Sequence, residues 1–426
     1  MTPNQLRRGL ALVALAAALA LLASCRSGSK AATSTPQAAG GTQAAGTATQ
    51  AALTASDVGV TPAEIKLGAT TPLSGAYSAY YADTLGMKVY FDYVNDHGGV
   101  NGRKIVFITK DDQTNPSVAL AGIKTLATDD KVFAFAGVLG TMQNAATVGY
   151  INDEHIPNLF TLAATSFLND PQKYPWTFPG IFPYTAEGRV LAAYVKQNLT
   201  GHKVGILYQN DDFGKDELKN FVPALGTGLK VVGQQSYEVS STDVSTQMTA
   251  LKNAGADVVV LFAIPKFATL ALKFIHDSGW KPTILMSYVS ATTSVIKDAG
   301  AAAVEGVITD AYLPSATDLS NAQVAFAKEI MTKYAPGQQF QDLNLFGIAA
   351  AQLTVRALEL GGPNLTRAGV VKAAESIRNY QTVALAPASV GATDHNPFHC
   401  AQLMKVQQGQ FAKFGSLTCE AGYSTG

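Results

Sequence analysis

Short β-type runs alternate with helical segments along most of this chain, and this alternation limits the folds that it can adopt. The first strand-like runs are IKLGA (65–69), KIVFIT (104–109), VFAFA (132–136) and a run over 158–161. Between them, apolar residues recur at helical spacing over 85–95, 118–127 and 144–153. Strands that alternate with helices form a parallel sheet covered on both faces. This part of the chain is therefore predicted to be a doubly wound α/β lobe.

A proline-rich segment, Pro175 to Pro183 (PWTFPGIFP), interrupts the alternation, because proline disfavours both helices and central strands. Beyond it, strands are predicted over 203–208, 229–237, 257–262, 283–287 and 304–309, and helices over 190–197, 215–221, 246–254, 268–278, 322–334 and 346–360. The fold class is thus α/β, with two doubly wound parallel-sheet lobes.

Charge balance limits the partners of the chain. Its 426 residues include 31 Lys+Arg and 31 Asp+Glu, so it lacks the basic excess that binds nucleic acid. We therefore expect no nucleic-acid partner.

The N-terminus has the pattern of an export signal. Arg7 and Arg8 precede an apolar run, 10–22, that is short for a membrane-spanning helix of about 20 residues. The run ends in Leu-Ala-Ser-Cys25, which resembles the lipobox of bacterial lipoproteins, whose cysteine carries lipid. The alternative is an ordinary secretory signal with a chance cysteine. We expect a signal peptide over 1–24, a disordered tether over 25–62 that is poor in large apolar residues, and a lipid anchor at Cys25 on the outer face of the cell membrane.

Two further cysteines, Cys400 and Cys419, flank a predicted hairpin. They are symmetric about a turn at 408–410, so they can face each other near the open end. An exported chain favours a disulfide between them, and two unpaired buried thiols are the alternative.

Four loops follow predicted strands and should line one crevice. Doubly wound lobes bind ligands at the carboxyl ends of their strands. The first loop, TTPLSGAYSAYY (70–81), combines hydroxyls with three tyrosines, of which Tyr77 and Tyr81 are expected only to pack against the lobe. The other loops are 137–142, 162–166 and 210–214. The sequence therefore predicts a small-molecule site between the lobes.

Several motifs, in order, resemble one family of transport proteins. They are NDHGGVNGRKIVFITKDDQTNP (95–116), GVLGTMQNAATV (137–148), IPNLFTLAAT (156–165), KVGILYQNDDFG (203–214) and AGADVVVLF (254–262). The chain resembles the ABC-transporter substrate-binding lipoproteins of the branched-chain amino acid (leucine/isoleucine/valine) type, with the type I periplasmic-binding fold. The resemblance implies that a three-crossing hinge joins the two lobes. It assigns 63–181 plus 310–382 to the N-terminal lobe and 182–309 plus 383–424 to the C-terminal lobe. The resemblance implies a monomer without a cofactor that captures a small molecule, an amino acid or a related carboxylate or amide, and delivers it to an ABC permease.

The resemblance also implies a set of ligand-binding residues. In the first lobe they are Ser74, Tyr80, Leu139, Gly140, Thr141, Ala163, Ala164 and Thr165, and in the second lobe they are Phe213 and Tyr288. Segments 139–141 and 163–165 correspond to segments that hold the ligand carboxylate, and Phe213 replaces a tyrosine. The loops before helices suit anions, since helix N-termini offer free N–H groups.

One departure bears on the ligand. The amino-acid binders of this family place an acid in the loop that here reads Ser287-Tyr-Val-Ser-Ala-Thr292, where Val289 takes the acidic position. A buried ammonium without a countercharge costs several kcal/mol. We therefore expect a carboxylate, amide or aromatic acid without a free amine, and a sensor that signals to a receptor is the alternative function.

No motif indicates catalysis or a metal. The chain lacks G-x-S-x-G, C-x-x-C and P-loop patterns, and its histidines avoid the four loops. His395 and His399 are four residues apart, but Asn396-Pro397 between them makes one helix through both unfavourable. Gly98 and Gly99 are predicted to end a helix, and Asn101-Gly102 to form a tight turn, so this segment with Asp111-Asp112 does not indicate a metal site. We expect a binding protein and not an enzyme.

Overall fold

Two sheets organise the part of the chain that the computed structural model describes, residues 53–420. The first sheet contains β1 (Glu64–Thr71), β2 (Lys104–Asp111), β3 (Ala134–Ala136), β4 (Asn158–Thr161) and β5 (Thr177–Pro179). The second contains β6 (Lys203–Gln209), β7 (Lys230–Tyr237), β8 (Val258–Phe262), β9 (Thr283–Met286), β10 (Ile308–Ala311), β11 (Cys400–Gln407) and β12 (Gln410–Cys419). We call the first sheet with its helices the first lobe, and the other the second lobe.

Helices cover the sheets and connect their strands. In chain order they are α1 (Tyr81–Asp96), α2 (Pro116–Thr128), α3 (Thr141–Asp153), α4 (Tyr184–Asn198), α5 (Asp212–Leu225), α6 (Ser245–Asn253), α7 (Pro265–Asp277), α8 (Thr293–Ala299), α9 (Ala301–Val304), α10 (Ala322–Tyr334), α11 (Asp342–Leu360) and α12 (Arg367–Glu375). The alternation of strands and helices that the sequence predicts is confirmed.

Both sheets have the doubly wound order. The first is β2-β1-β3-β4-β5, and the second is β12-β11-β10-β9-β8-β6-β7. Every pairing from β1 to β10 is parallel, and the hairpin of β11 and β12 adds two antiparallel strands at one edge. Parallel strands with both faces covered are apolar throughout, as in the fully buried β8. The predicted fold class is confirmed.

The chain passes between the sheets three times. It leaves the first lobe after β5, returns after β10 because α11 packs against α1, and leaves again after α12 to form the hairpin. β10 extends to Ala311 within the second sheet, two residues past the lobe boundary placed at 309. β5 lies inside the proline-rich segment where a central strand was disfavoured, and it fits because it is an edge strand.

The longest helix, α11, lies in the core of the first lobe. It is long and apolar enough to cross a membrane by length and composition, yet nearly all its residues are buried inside the protein. It approaches α1 at two glycines, Gly86 and Gly347. A Cβ at Gly347 would meet the carbonyl oxygen of Asp83, so α1 and α11 contact through their backbones.

The prediction that a disordered tether extends to residue 62 is wrong for residues 53–62. Residues 53–62 contact the first lobe: Asp57 accepts from Arg367 N at 2.8 Å, and Ser56 Oγ donates to Leu365 O at 2.6 Å. Val60 is buried there. Low apolar content suggested disorder, but these polar contacts hold the segment. The signal peptide and Cys25 lie outside the described residues.

The hairpin that ends the described chain carries a disulfide. Cys400 and Cys419 occupy opposite positions on β11 and β12 and are joined, with an S–S distance of 2.04 Å. The turn consists of Gln408 and Gly409, both with positive φ, which suits a two-residue hairpin loop.

Candidate ligand-binding site

A cavity lies between the lobes, and we call it the central cavity. Its wall consists of Tyr77, Tyr80, Asp83, Leu139, Gly140, Thr141, Leu162, Ile181, Tyr184, Gln209, Phe213, Ile264, Val289 and Phe346. Most of these residues follow the carboxyl ends of strands, where doubly wound folds bind ligands. The wall is mainly apolar and aromatic, with a few polar groups, which is the composition of a small-molecule site.

Five of the predicted ligand-binding residues lie in this wall. Tyr80 comes from the loop after β1, Leu139, Gly140 and Thr141 from the start of α3, and Phe213 from the first turn of α5. The loops that carry them follow β1, β3 and β6, whose carboxyl ends the sequence placed at one crevice. The structure therefore brings together residues from three of the four loops at the positions chosen from sequence.

The other predicted residues of the first lobe lie outside the wall. Ser74 is exposed, and its hydroxyl donates to Asp111 Oδ2 at 3.4 Å, so it belongs to the outer part of its loop. Ala163 and Ala164 use their carbonyls to accept from Thr161 Oγ1 and Tyr184 N. Thr165 is buried beyond them. In this segment it is Leu162 that reaches the cavity.

Tyr288 also differs from the prediction. Its hydroxyl donates to Phe182 O at 2.5 Å, and its ring stacks on Phe346 with centroids 6.0 Å apart. Tyr288 lines a neighbouring cavity together with Asp310 and Tyr312. Its neighbour Val289 lines the central cavity instead.

Sequence reasoning missed much of the wall. The missed residues are Tyr77, Asp83, Leu162, Ile181, Tyr184, Gln209, Ile264, Val289 as a contact, and Phe346. Tyr77 was expected only to pack against the lobe, but its loop folds so that the ring faces the cavity. Position after a strand could have indicated Gln209 and Ile264. Asp83 and Phe346 lie on helices that only the folded chain brings to the site.

Hydrogen bonds join the two lobes across the cavity. Tyr80 Oη donates to Val289 O at 3.1 Å, and Gln209 Nε2 donates to Tyr77 Oη at 2.8 Å. Nearby, the Asp216 carboxylate accepts from the backbone N–H and the hydroxyl of Ser166, at 2.5 and 2.9 Å. The structure therefore has the lobes closed on the cavity.

The N-terminus of α3 opens onto the cavity. Gly140 precedes the helix with φ of 92°, and no side chain caps it. The N–H groups of the first turn lack intrahelical partners, so they and the helix dipole favour an anion or a carbonyl oxygen. Thr141 adds a hydroxyl, which bonds to the Tyr184 hydroxyl and opposes the rise in the pKa of Tyr184 that burial causes.

Asp83 is the one ionisable acid or base, tyrosines apart, in the described wall, which contains no Lys, Arg or His. It lies in the first turn of α1 and is 4% exposed. Burial raises the pKa of its carboxyl well above the ordinary value. Burial likewise raises the pKa of Tyr77 and Tyr80, so both hydroxyls are neutral donors.

Known proteins share this architecture. The family model described as "Periplasmic binding protein" matches residues 64–410. Leu/Ile/Val-binding protein homolog 7 of Brucella suis biovar 1 (strain 1330) is 25% identical over 237 residues, which are 53% of this chain and 58% of that protein. The chain thus matches little more than half the length of that curated relative.

Solved structures agree on the fold. A fatty acid ABC transporter substrate-binding protein from Thermomonospora curvata has a TM-score of 0.77 and 22% identity, covering 87% of this chain and 97% of that one. A branched chain amino acid ABC transporter protein from Thermus thermophilus with bound valine has a TM-score of 0.76 and 20% identity, covering 84% and 97%. Because the family model matches most of the sequence, the chain belongs to the periplasmic binding protein family, and its relatives include Leu/Ile/Val-binding protein homologues.

Proposed function

We propose that this protein is the solute-binding component of an ABC transporter and captures a small organic molecule in the central cavity. The observation that carries the proposal is the closed arrangement, in which Tyr80 and Tyr77 of the first lobe bond to Val289 and Gln209 of the second. A ligand enclosed in this way stabilises the closed state, because it contacts both lobes only there. The closed form is then the one that a permease receives.

The wall supports a ligand that is mainly apolar with one or two polar groups. Aromatic and aliphatic side chains dominate it, and the N-terminus of α3 suits a carboxylate or amide oxygen. One similar structure is that of a fatty acid ABC transporter substrate-binding protein, and another holds valine. The shared fold therefore does not determine the ligand class, which depends on the residues of the wall. The argument against an amine, which rested on Val289, weakens because Asp83 supplies an acid from the first lobe.

Location and partners follow from the family and the sequence. Membership of a family of periplasmic binding proteins implies an exported, extracytoplasmic protein. We extend this to a monomer without a cofactor or catalytic activity, anchored by lipid at Cys25, that associates with a permease and not with nucleic acid. A ligand sensor built on the same cavity is the second candidate, and a missing ABC permease partner in affinity capture from membranes would favour it.

A thermal-shift screen of small amino acids, carboxylates, amides and amines tests capture in this cavity. A ligand that binds the folded protein should stabilise it by about 2.7 kcal/mol when its concentration is a hundredfold above Kd, and the melting temperature should rise accordingly. Thr141→Ala should weaken binding, because the Thr141 hydroxyl lies in the wall. Thr165→Ala is the matched control, since its buried hydroxyl has no hydrogen-bond partner among the described residues and lies outside the wall. Equal loss in both variants, or in neither, would place the site elsewhere.

A further inference from the structure

We propose that Asp83 makes the central cavity selective for ligands that carry an ammonium group. This inference rests on the proposed function and names the chemical class of the ligand. It gives Asp83, which was not among the site residues predicted from the sequence, the role of countercharge to the ligand. It also moves the expected countercharge from the second lobe, where Val289 stands, to the first lobe.

One oxygen of the Asp83 carboxyl is buried and unpaired in the described part of the chain. Asp83 lines the cavity and is 4% exposed, and its Oδ1 has no hydrogen-bond donor among residues 53–420. Glu187, a buried acid of the second lobe, differs: it accepts from Tyr288 N at 2.7 Å and from Ser287 Oγ at 3.0 Å. Asp83 therefore borders the ligand space with one carboxyl oxygen unpaired.

The backbone holds this carboxyl in place. Asp83 lies in the first turn of α1, and its carbonyl contacts α11 where Gly347 leaves room. The neighbouring Ala82 carbonyl accepts from Asn344 Nδ2 at 2.8 Å. A site supported in this way keeps its geometry when a ligand arrives.

Charge and ring chemistry both favour a cation. An ionised carboxylate out of water costs several kcal/mol unless a positive group pairs with it, and the described wall contains no Lys, Arg or His. The α1 N-terminus favours the negative form of Asp83. The wall also holds aromatic rings, including Tyr77 and Tyr80 at a centroid distance of 5.9 Å, and ring faces attract cations. A ligand ammonium thus pairs with the carboxylate and contacts the rings.

The groups around Asp83 are two tyrosines and one acid of α11. Tyr80, beside it, and Tyr312, next to β10, interact with its charge, and burial raises the pKa of both hydroxyls. On α11, the Asp342 carboxylate accepts from Thr293 N and Ala316 N, at 2.8 Å each. Because burial raises the pKa of Asp83, protonation at low pH removes the negative charge that an ammonium needs.

Matched probes test the inference in the full-length protein. Calorimetry compares 3-methylbutylammonium with 3-methylbutan-1-ol and 4-methylpentanoate, and repeats the series with phenethyl analogues. The ammonium compounds should bind at least about tenfold more tightly than the alcohols. Because burial raises the pKa of Asp83, their affinity should rise with pH as Asp83 loses its proton.

Asp83→Asn should lower the affinity for the ammonium compounds by about tenfold or more, leave the alcohols unchanged and abolish the pH dependence. Asp112→Asn is the control, because Asp112 is a fully buried acid of the same lobe outside the wall. If Asp83→Asn fails to fold, the ligand selectivity and the pH dependence of the wild-type protein still test the ammonium selectivity.

The inference is overturned if no ammonium compound exceeds its alcohol, if the carboxylate binds more tightly, or if Asp83→Asn keeps the ammonium affinity. Tight binding of a carboxylate or amide that Thr141→Ala weakens would leave the proposed function standing without the ammonium selectivity. The proposed function would be rejected as well if there were no ammonium selectivity and no substitution in the wall weakened the binding of any ligand.

Discussion

Gly347→Ala should destabilise the protein by about 1–3 kcal/mol or more, because the new methyl group overpacks a backbone contact. The Cβ of residue 347 would overlap the carbonyl of Asp83 and approach Met87 N, and neither backbone group can rotate away. α11 must then move from α1. Phe346 and Asp83 would move apart with them, so ligand affinity should fall together with stability.

Gly149→Ala is the matched control for this experiment. Gly149 is also a helical glycine, but its Cβ would meet nothing within 4 Å. Alanine there should stabilise by about 0.5–1 kcal/mol, the helix-propensity difference. Denaturant unfolding measures both variants. Equal stability of the two would show that α1 and α11 do not meet through their backbones.

Glu217→Gln should raise the melting temperature at about pH 8 by several degrees, since about 1 kcal/mol corresponds to about 2–4 °C in domains of 150–250 residues. Glu217 lies with Glu187 and Asp310 in the second lobe, and all three are fully buried. Among the described residues, no Lys, Arg or His forms an ion pair with any of them. An amide at 217 removes one charge from this cluster.

The pH dependence has a definite sign. Burial raises the pKa of all three carboxyls, and like charge adds to it: Glu217 acts on Glu187, Glu187 on Asp310, and Asp310 on Glu217. Each folded-state pKa lies above the unfolded one, so their contribution to stability is full below about pH 4 and is lost as the pH rises through the folded-state values. The melting temperature should therefore gain more from Glu217→Gln at about pH 8 than at about pH 5.

A surface substitution controls for net charge. Glu329 is exposed on α10, so Glu329→Gln should change the melting temperature little at either pH. Carboxyls with a lowered pKa, such as Asp96 and Glu420, act in the opposite direction but are the same in all the proteins compared. A drop in melting temperature for Glu217→Gln at about pH 8 would contradict a repulsive cluster of buried acids.

The fold could be predicted from the sequence because its strands and helices have clear local periodicity. The run at 258–262 is apolar at every position and could only be a strand covered on both faces, and α10 has the predicted bounds, 322–334. The three crossings between the lobes were expected from the family resemblance, because local periodicity does not show which lobe a segment joins. Local patterns failed where tertiary contacts decide, as in residues 53–62, which are poor in apolar groups yet bonded to the first lobe.

The site was predicted in part for a physical reason. Loops that follow parallel strands converge at one edge, so Tyr80, Thr141 and Phe213 could be placed from their positions alone. Asp83 and Phe346 could not, because they lie on α1 and α11, whose crossing depends on two glycines far apart in the sequence. Tyr288 lies outside the wall because its hydroxyl donates to the Phe182 carbonyl, a contact that no sequence pattern predicts.

Calorimetric titration of the ligand found by thermal shift, with one wall residue shortened in each lobe, tests the central claim most directly. Leu139→Ala truncates the wall in the first lobe and Phe213→Ala in the second. Enclosure between the lobes predicts binding at one site, weakened by about tenfold or more in each variant. Unchanged affinity in either variant would contradict the account, because a ligand held by both lobes cannot be indifferent to one of them.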